Sequence, residues 1–152
     1  MFGSTHLLVG ATVATYTGNY FFGGVAAFLS HLVVDVIPHY DFPPPNFNSP
    51  KPMILQMAGP ILETLGGFIL LYICFLLNPH LSGGLLILGG FLGLFLDLWH
   101  HFPYWREFTR KITPTFFKIH EDVQNEELLP HLAGRLMNLP VIIIAIWFLL
   151  SY

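Results

Sequence analysis

Twelve consecutive residues, Ser30-His31-Leu32-Val33-Val34-Asp35-Val36-Ile37-Pro38-His39-Tyr40-Asp41, carry two imidazoles and two carboxylates. These are the donor types of zinc, manganese and iron sites. His31 and Asp35 stand four apart, so a helix puts them on one face. Pro38 stops that helix, which lets the chain turn His39 and Asp41 back over the same place. All four sit in or just beyond an apolar run over residues 21–37. An ionisable group in hydrocarbon is costly, so each marks a functional site with a partner to be named.

The partners come from elsewhere in the chain. Asp97, His100 and His101 end another apolar run, and either histidine can share a helix face with Asp97. His6 opens the first apolar run, Glu63 lies two turns into the third, and His120 follows in a polar stretch. Asp35-x-x-x-His39 is echoed by Asp97-x-x-x-His101, each after a glycine-containing apolar stretch, a faint repeat of two helical hairpins facing a shared centre. His6, His31, Asp35, His39, Asp41, Glu63, Asp97, His100, His101 and His120 exceed the four ligands of one zinc. The surplus favours two ions, or one ion whose imidazoles are oriented by carboxylates. Zinc is expected first, with manganese or iron as alternatives. The plainer readings are a buried His31–Asp35 hydrogen-bonded pair, a helix end marked by Asp97, an interfacial His6 and a surface His120. His80 and His131 are expected in solvent.

The elements that position these groups read as membrane helices. Of the 152 residues 54% are hydrophobic and 10% charged, where soluble domains carry about a quarter charged. A net charge of −3 without a basic stripe points away from a nucleic-acid partner. The single Cys74 forms no intrachain disulfide and is expected to pack in the core. The N-terminus lacks the basic region of a signal peptide. Apolar runs cover residues 7–17, 21–37, 53–77, 85–99 and 137–152, with turns at Gly18-Asn19 and from Asn78 to Gly84, and a proline-rich connector at 42–52. The expectation is an all-α integral membrane bundle of four to five transmembrane helices in one domain, with a polar, partly amphipathic segment at about 102–135. Tyr40, Trp99, Tyr104 and Trp105 suit an aromatic belt.

Five crossings put the N-terminus, the connector and the 102–135 segment on one side. That side holds all six Lys and Arg, which makes it cytoplasmic. The same threading brings nearly every candidate ligand to that face, a convergence that needs no motif to see.

Thr5-His6-Leu7-Leu8-Val9-Gly10, followed by the 30–41 stretch, resembles the small membrane-bound metal-dependent hydrolases of the YdjM-like group, similar in motif style to zinc-dependent phospholipase C. The resemblance is close over about the first 45 residues and looser at Asp97 and at Phe116-Phe117-Lys118-Ile119-His120. It implies an inner-membrane helical protein holding metal through His6, His31, Asp35, His39 and Asp97, with hydrolysis as its activity. The His-Arg-x-x-Thr-His-Ser motif of larger members is missing; either His100, His101 and His120 take its place, or a catalytic element has been lost. The expected reaction is hydrolysis of a lipid or isoprenoid phosphoester at the cytoplasmic face. Asp41 or Glu63 would be the base, and Arg106, Arg110 and Lys111 would hold the phosphate. The rival expectations are a metal carrier or sensor and a structural metal protein. Membrane lipid is the expected partner, and an oligomer is compatible with the chain.

Overall fold

The computed structural model describes residues 1–43, 45–101, 106–123 and 130–152, with the backbone alone for His100 and His101. The described residues are all-helical, without a strand: α1 (Gly3–Thr17), α2 (Tyr20–Asp35), α3 (Met53–Leu77), α4 (Gly83–His101), α5 (Arg106–Ile112), α6 (Pro114–Val123), α7 (His131–Leu136) and α8 (Asn138–Ser151).

The first helix is the centre of the bundle, with α2, α3, α4 and α8 packed around it. Its Leu7, Leu8, Ala11 and Ala14 are fully buried, and Leu71, Cys74, Leu86, Ala145 and Leu149 join Leu7, Leu8 and Ala11 in one core. Small residues let α4 approach closely. A Cβ on Gly10 would lie 2.9 Å from Gly93 Cα, one on Gly89 would lie 3.0 Å from Ala11 Cα, and one on Gly93 would lie 3.0 Å from Gly10 Cα. Gly89 and Gly93 are one turn apart, the small-x-x-x-small spacing of tightly packed apolar helices. The two helices run antiparallel, so this seam sets His6, a turn before Gly10, beside Asp97, a turn after Gly93.

Gly18 ends α1 at φ +62°, a left-handed conformation that suits glycine. Asn19 then caps α2, its Oδ1 accepting from the Phe21 and Phe22 amides at 2.9 and 3.0 Å. The tight turn folds α2 back along α1, returning His31 and Asp35 to the level of His6.

At its start α1 is capped from a distance. Glu63 of α3 accepts the Ser4 amide at 3.0 and 3.2 Å and the Ser4 hydroxyl as well. Asn138 Oδ1, at the head of α8, accepts from the Phe2 amide and the Thr5 hydroxyl, both at 2.9 Å. These contacts satisfy first-turn donors that a helix cannot bond internally, and a carboxylate there complements the helix dipole.

Two helical stretches among the described residues, α3 (Met53–Leu77) and α7 with α8 taken together (His131–Ser151), are long and apolar enough to cross a membrane. Large apolar side chains such as Ile54, Leu62, Ile69, Ile143 and Trp147 stand exposed on them. Of the four to five membrane helices expected, these two have the full length; α1 and α2 have 15 and 16 residues, roughly 22–24 Å against a hydrocarbon core of about 30 Å. The Gly18-Asn19 turn bounds both on one side, and Pro38 follows close after α2 on the other.

Candidate metal centre

The ends of α1, α2 and α4 and the middle of α6 bring four of the expected ligands around Asp35. His6, His31, Asp35 and His120 are buried, and Asp97 is 18% exposed. Asp35 presents both oxygens inward. Oδ1 lies 3.1 Å from His6 Nε2, while Oδ2 lies 3.2 Å from His31 Nε2 and 3.4 Å from His120 Nε2. His31 Nε2 is 3.0 Å from His120 Nε2 and 3.6 Å from Asp97 Oδ1; His6 Nε2 is 3.8 Å from Asp97 Oδ2. Bonds of 2.0–2.2 Å give a tetrahedral site ligand–ligand edges of about 3.3–3.6 Å. The observed spacings bracket that range. His6, His31 and Asp35, and again His31, Asp97 and His120, form groups that could hold a metal ion.

Local bonding prepares the imidazoles. His31 Nδ1 lies 2.7 Å from the Gly93 carbonyl and His39 Nδ1 lies 2.8 Å from the Ile37 carbonyl. A carbonyl only accepts, so each Nδ1 carries the hydrogen and each Nε2 keeps its lone pair for the centre. The His6 and His31 rings stack at 3.8 Å. Both ring nitrogens of His6 and Oδ2 of Asp35 are buried without a hydrogen bond; the 3.1 Å approach of His6 to Asp35 is not one. Leaving a buried polar group unbonded costs about 1–3 kcal/mol. A cation held among these atoms would remove that cost, so the donor set fits a metal.

A looser group lies alongside. His39 is buried after the Pro38 break, its Nε2 3.9 Å from Asp41 Oδ2 and 4.0 Å from Asp35 Oδ1. The Met1 ammonium sits between them, 2.8 Å from Asp35 Oδ1, 2.8 Å from His39 Nε2 and 3.1 Å from Asp41 Oδ2. Burial alone would lower its pKa, yet Asp41, Asp35 and Asp97 outweigh that and raise it to about 10. Burial lifts the Asp41 carboxyl above its ordinary range against the pull of that ammonium. Three acceptors thus gather on this one positive charge.

The remaining expected residues are placed differently. Glu63 is engaged with Ser4, and it lines a cleft that Asp41 and Asp97 also reach. Arg106 and Arg110 on α5 stand over the Phe117 ring at 5.9 and 5.8 Å, and Lys111 is exposed. The side chains of His100 and His101 lie outside the described residues, as do Tyr104 and Trp105. His131, expected in solvent, is exposed but sets its ring edge-on against Tyr40 at 4.0 Å. That contact belongs to a clamp unseen in the sequence. Gly134 of α7 packs so tightly that a Cβ would lie 2.8 Å from the Tyr40 amide nitrogen, and Arg135 stands 5.7 Å over the Tyr40 ring. The clamp fixes the loop that carries His39 and Asp41. Asn138, just ahead of Pro140 at a helix start, was the available hint of a cap.

No family model matches this chain, and no curated protein or solved structure matches it.

Proposed function

We propose that the chain is a metal-dependent phosphoester hydrolase embedded in the cytoplasmic membrane, acting on a lipid or isoprenoid phosphate. One observation carries the reading: histidines and carboxylates from four helices meet at metal-ligand spacing, with His6 and Asp35 buried and short of partners. His6, His31, Asp35, Asp97 and His120 would hold the ion, with His39 and Asp41 completing it or holding a second. Zinc suits this mixed set first, then manganese or iron. A bound divalent ion brings the pKa of its water down towards about 7 and polarises a phosphoryl oxygen.

The chain's own residues supply the rest. Asp41 stands at the edge of the cluster, its side chain 21% exposed, and its raised affinity for protons suits a base that takes one from water. Glu63 holds the start of α1, and with it His6, so its part is in positioning. Arg106 and Arg110 project from α5 beside Phe117, three residues from His120, where they would meet an anionic headgroup. The α3 and α7–α8 spans would cross the bilayer fully, with α1, α2 and α4 completing a four-to-five-helix bundle and the metal centre at the cytoplasmic face.

The complete burial of His6, His31 and Asp35 favours one rival reading, an ion that is structural or carried without catalysis. Phosphate release separates the two. Metal-loaded protein is assayed on a panel of phospholipids and polyprenyl phosphates beside Asp35→Ala. Release by the wild type alone supports hydrolysis, and no turnover with metal fully bound rejects it.

A further inference from the structure

A cleft of about 330 Å³ opens beside the candidate centre, between α3, α4 and the loop after α2. Its volume is at the low end of ligand-binding pockets, about 300–1,000 Å³. The two ends differ in chemistry. Asp41, Glu63 and Asp97 form the inner end, and Asp97 lies 3.6 Å from His31, so that end meets the metal ligands directly. The walls are apolar: Met57, Ile61 and Leu65 from α3 face Leu94 and Leu98 from α4. Ile61 and Leu65 are 42% and 51% exposed, as are the large apolar Ile54 and Leu62 of the same helix at 68% and 69%, so the outer end opens onto the exposed apolar side of α3.

One wall is built with care. Phe42 lies over Gly59, where a Cβ would come within 2.6 Å of its ring. Phe2 stacks on the other side at 5.2 Å, and the Arg135 guanidinium stands over the ring at 5.6 Å. Glycine at 59 thus makes room for an aromatic wall held from three directions.

We infer that this cleft seats the single apolar chain of an amphiphile whose phosphate or phosphonate head lies at the Asp97 end. The inference rests on the metal-dependent reading above and adds where the substrate's tail goes. Asp41, Glu63 and Asp97 outnumber the single Met1 ammonium at this end and would repel an anionic head, so the head binds tightly only when a further cation is held among His6, His31, Asp35 and Asp97. The tail is drawn by burial, worth up to about fourfold in affinity for each methylene removed from water. A double-chained lipid has one chain too many for this volume and would leave the second in the bilayer.

The test is equilibrium binding of methyl-, butyl- and octylphosphonate to the full chain in nanodiscs, metal-loaded and chelated, with empty nanodiscs subtracted. Tighter binding with each added methylene is expected. Ile61→Trp should weaken octylphosphonate at least tenfold while leaving methylphosphonate and metal content unchanged. Leu62→Trp, one residue along α3 but outside the cleft, should change neither. Binding independent of tail length, or equal losses in the two variants, overturns the cleft as the tail site. Tail-dependent binding that survives chelation supports the cleft and instead overturns the metal as the anchor of the head.

Discussion

At the Thr17 end of α1 the polar groups close on one another. Thr15 and Thr17 bond back to Ala11 and Ala14 carbonyls, and Tyr16 donates to the Phe148 carbonyl. Asn19 caps α2, and the nearby Asn78 donates from Nδ2 to the Leu149 carbonyl at 2.9 Å. At the Ser4 end the neighbours are just as polar and more deeply buried, yet His6 and Asp35 keep atoms without a hydrogen bond. One helix has a finished end and an end with spare donors. Unsatisfied buried groups are rare and costly in folded chains. A fold that completes one end and leaves the other short has kept binding capacity there, which is what a ligand centre requires.

Variants can break or sharpen that contrast. The largest effect is expected from Gly93→Leu, because its side chain would strike the α1 backbone at His6 and Gly10. Overpacking costs about 1–3 kcal/mol, and more where backbone must move. Both thermal stability and metal content should fall. Gly66, where a Cβ meets nothing within 4 Å, is the control: Gly66→Ala should hold or gain up to about 1 kcal/mol in unfolding experiments.

Asn138→Ala comes next. It strips the start of α1 of two hydrogen bonds, one of them buried, for about 1–3 kcal/mol. Because His6 rides on that first turn, metal affinity should also drop, about 10–100-fold as for other residues that support ligands. Asn78→Ala, at the finished end, should cost about 0.5–1.5 kcal/mol and leave metal affinity alone. Equal losses of metal in the two asparagine variants would erase the distinction between the ends. A divalent ion at 100 times its Kd should stabilise the wild type by about 2.7 kcal/mol, read as a shift in Tm that a chelator reverses.

Much of this was legible in the chain, for identifiable reasons. The bounds of α3 stand out because residues 53–77 run unbroken between Pro52 and Asn78-Pro79. His31 and Asp35 declare themselves through four-residue spacing in an apolar run, and Asp97 through its echo of Asp35. What the caps bind was not legible. Glu63 and Ser4 are 59 residues apart, Asn138 and Thr5 133 apart, and no local pattern links them. His120 read equally well as a surface residue. Its burial follows from Phe117, three residues before it on the inner face of α6, and from Phe116 stacking on Phe28 at 5.9 Å. Span length was less legible than span composition, because apolar content records the solvent of a helix while length is set by its turns and caps; α3 and the α7–α8 stretch have the full length.

Metal content measured on purified wild type, Asp35→Ala and Asn78→Ala tests the central claim most directly. The account predicts at least one divalent ion per chain in the wild type and in Asn78→Ala, and almost none in Asp35→Ala, whose carboxylate lies within 3.4 Å of three histidines. Equal metal in all three proteins, or none in the wild type after loading, would contradict it.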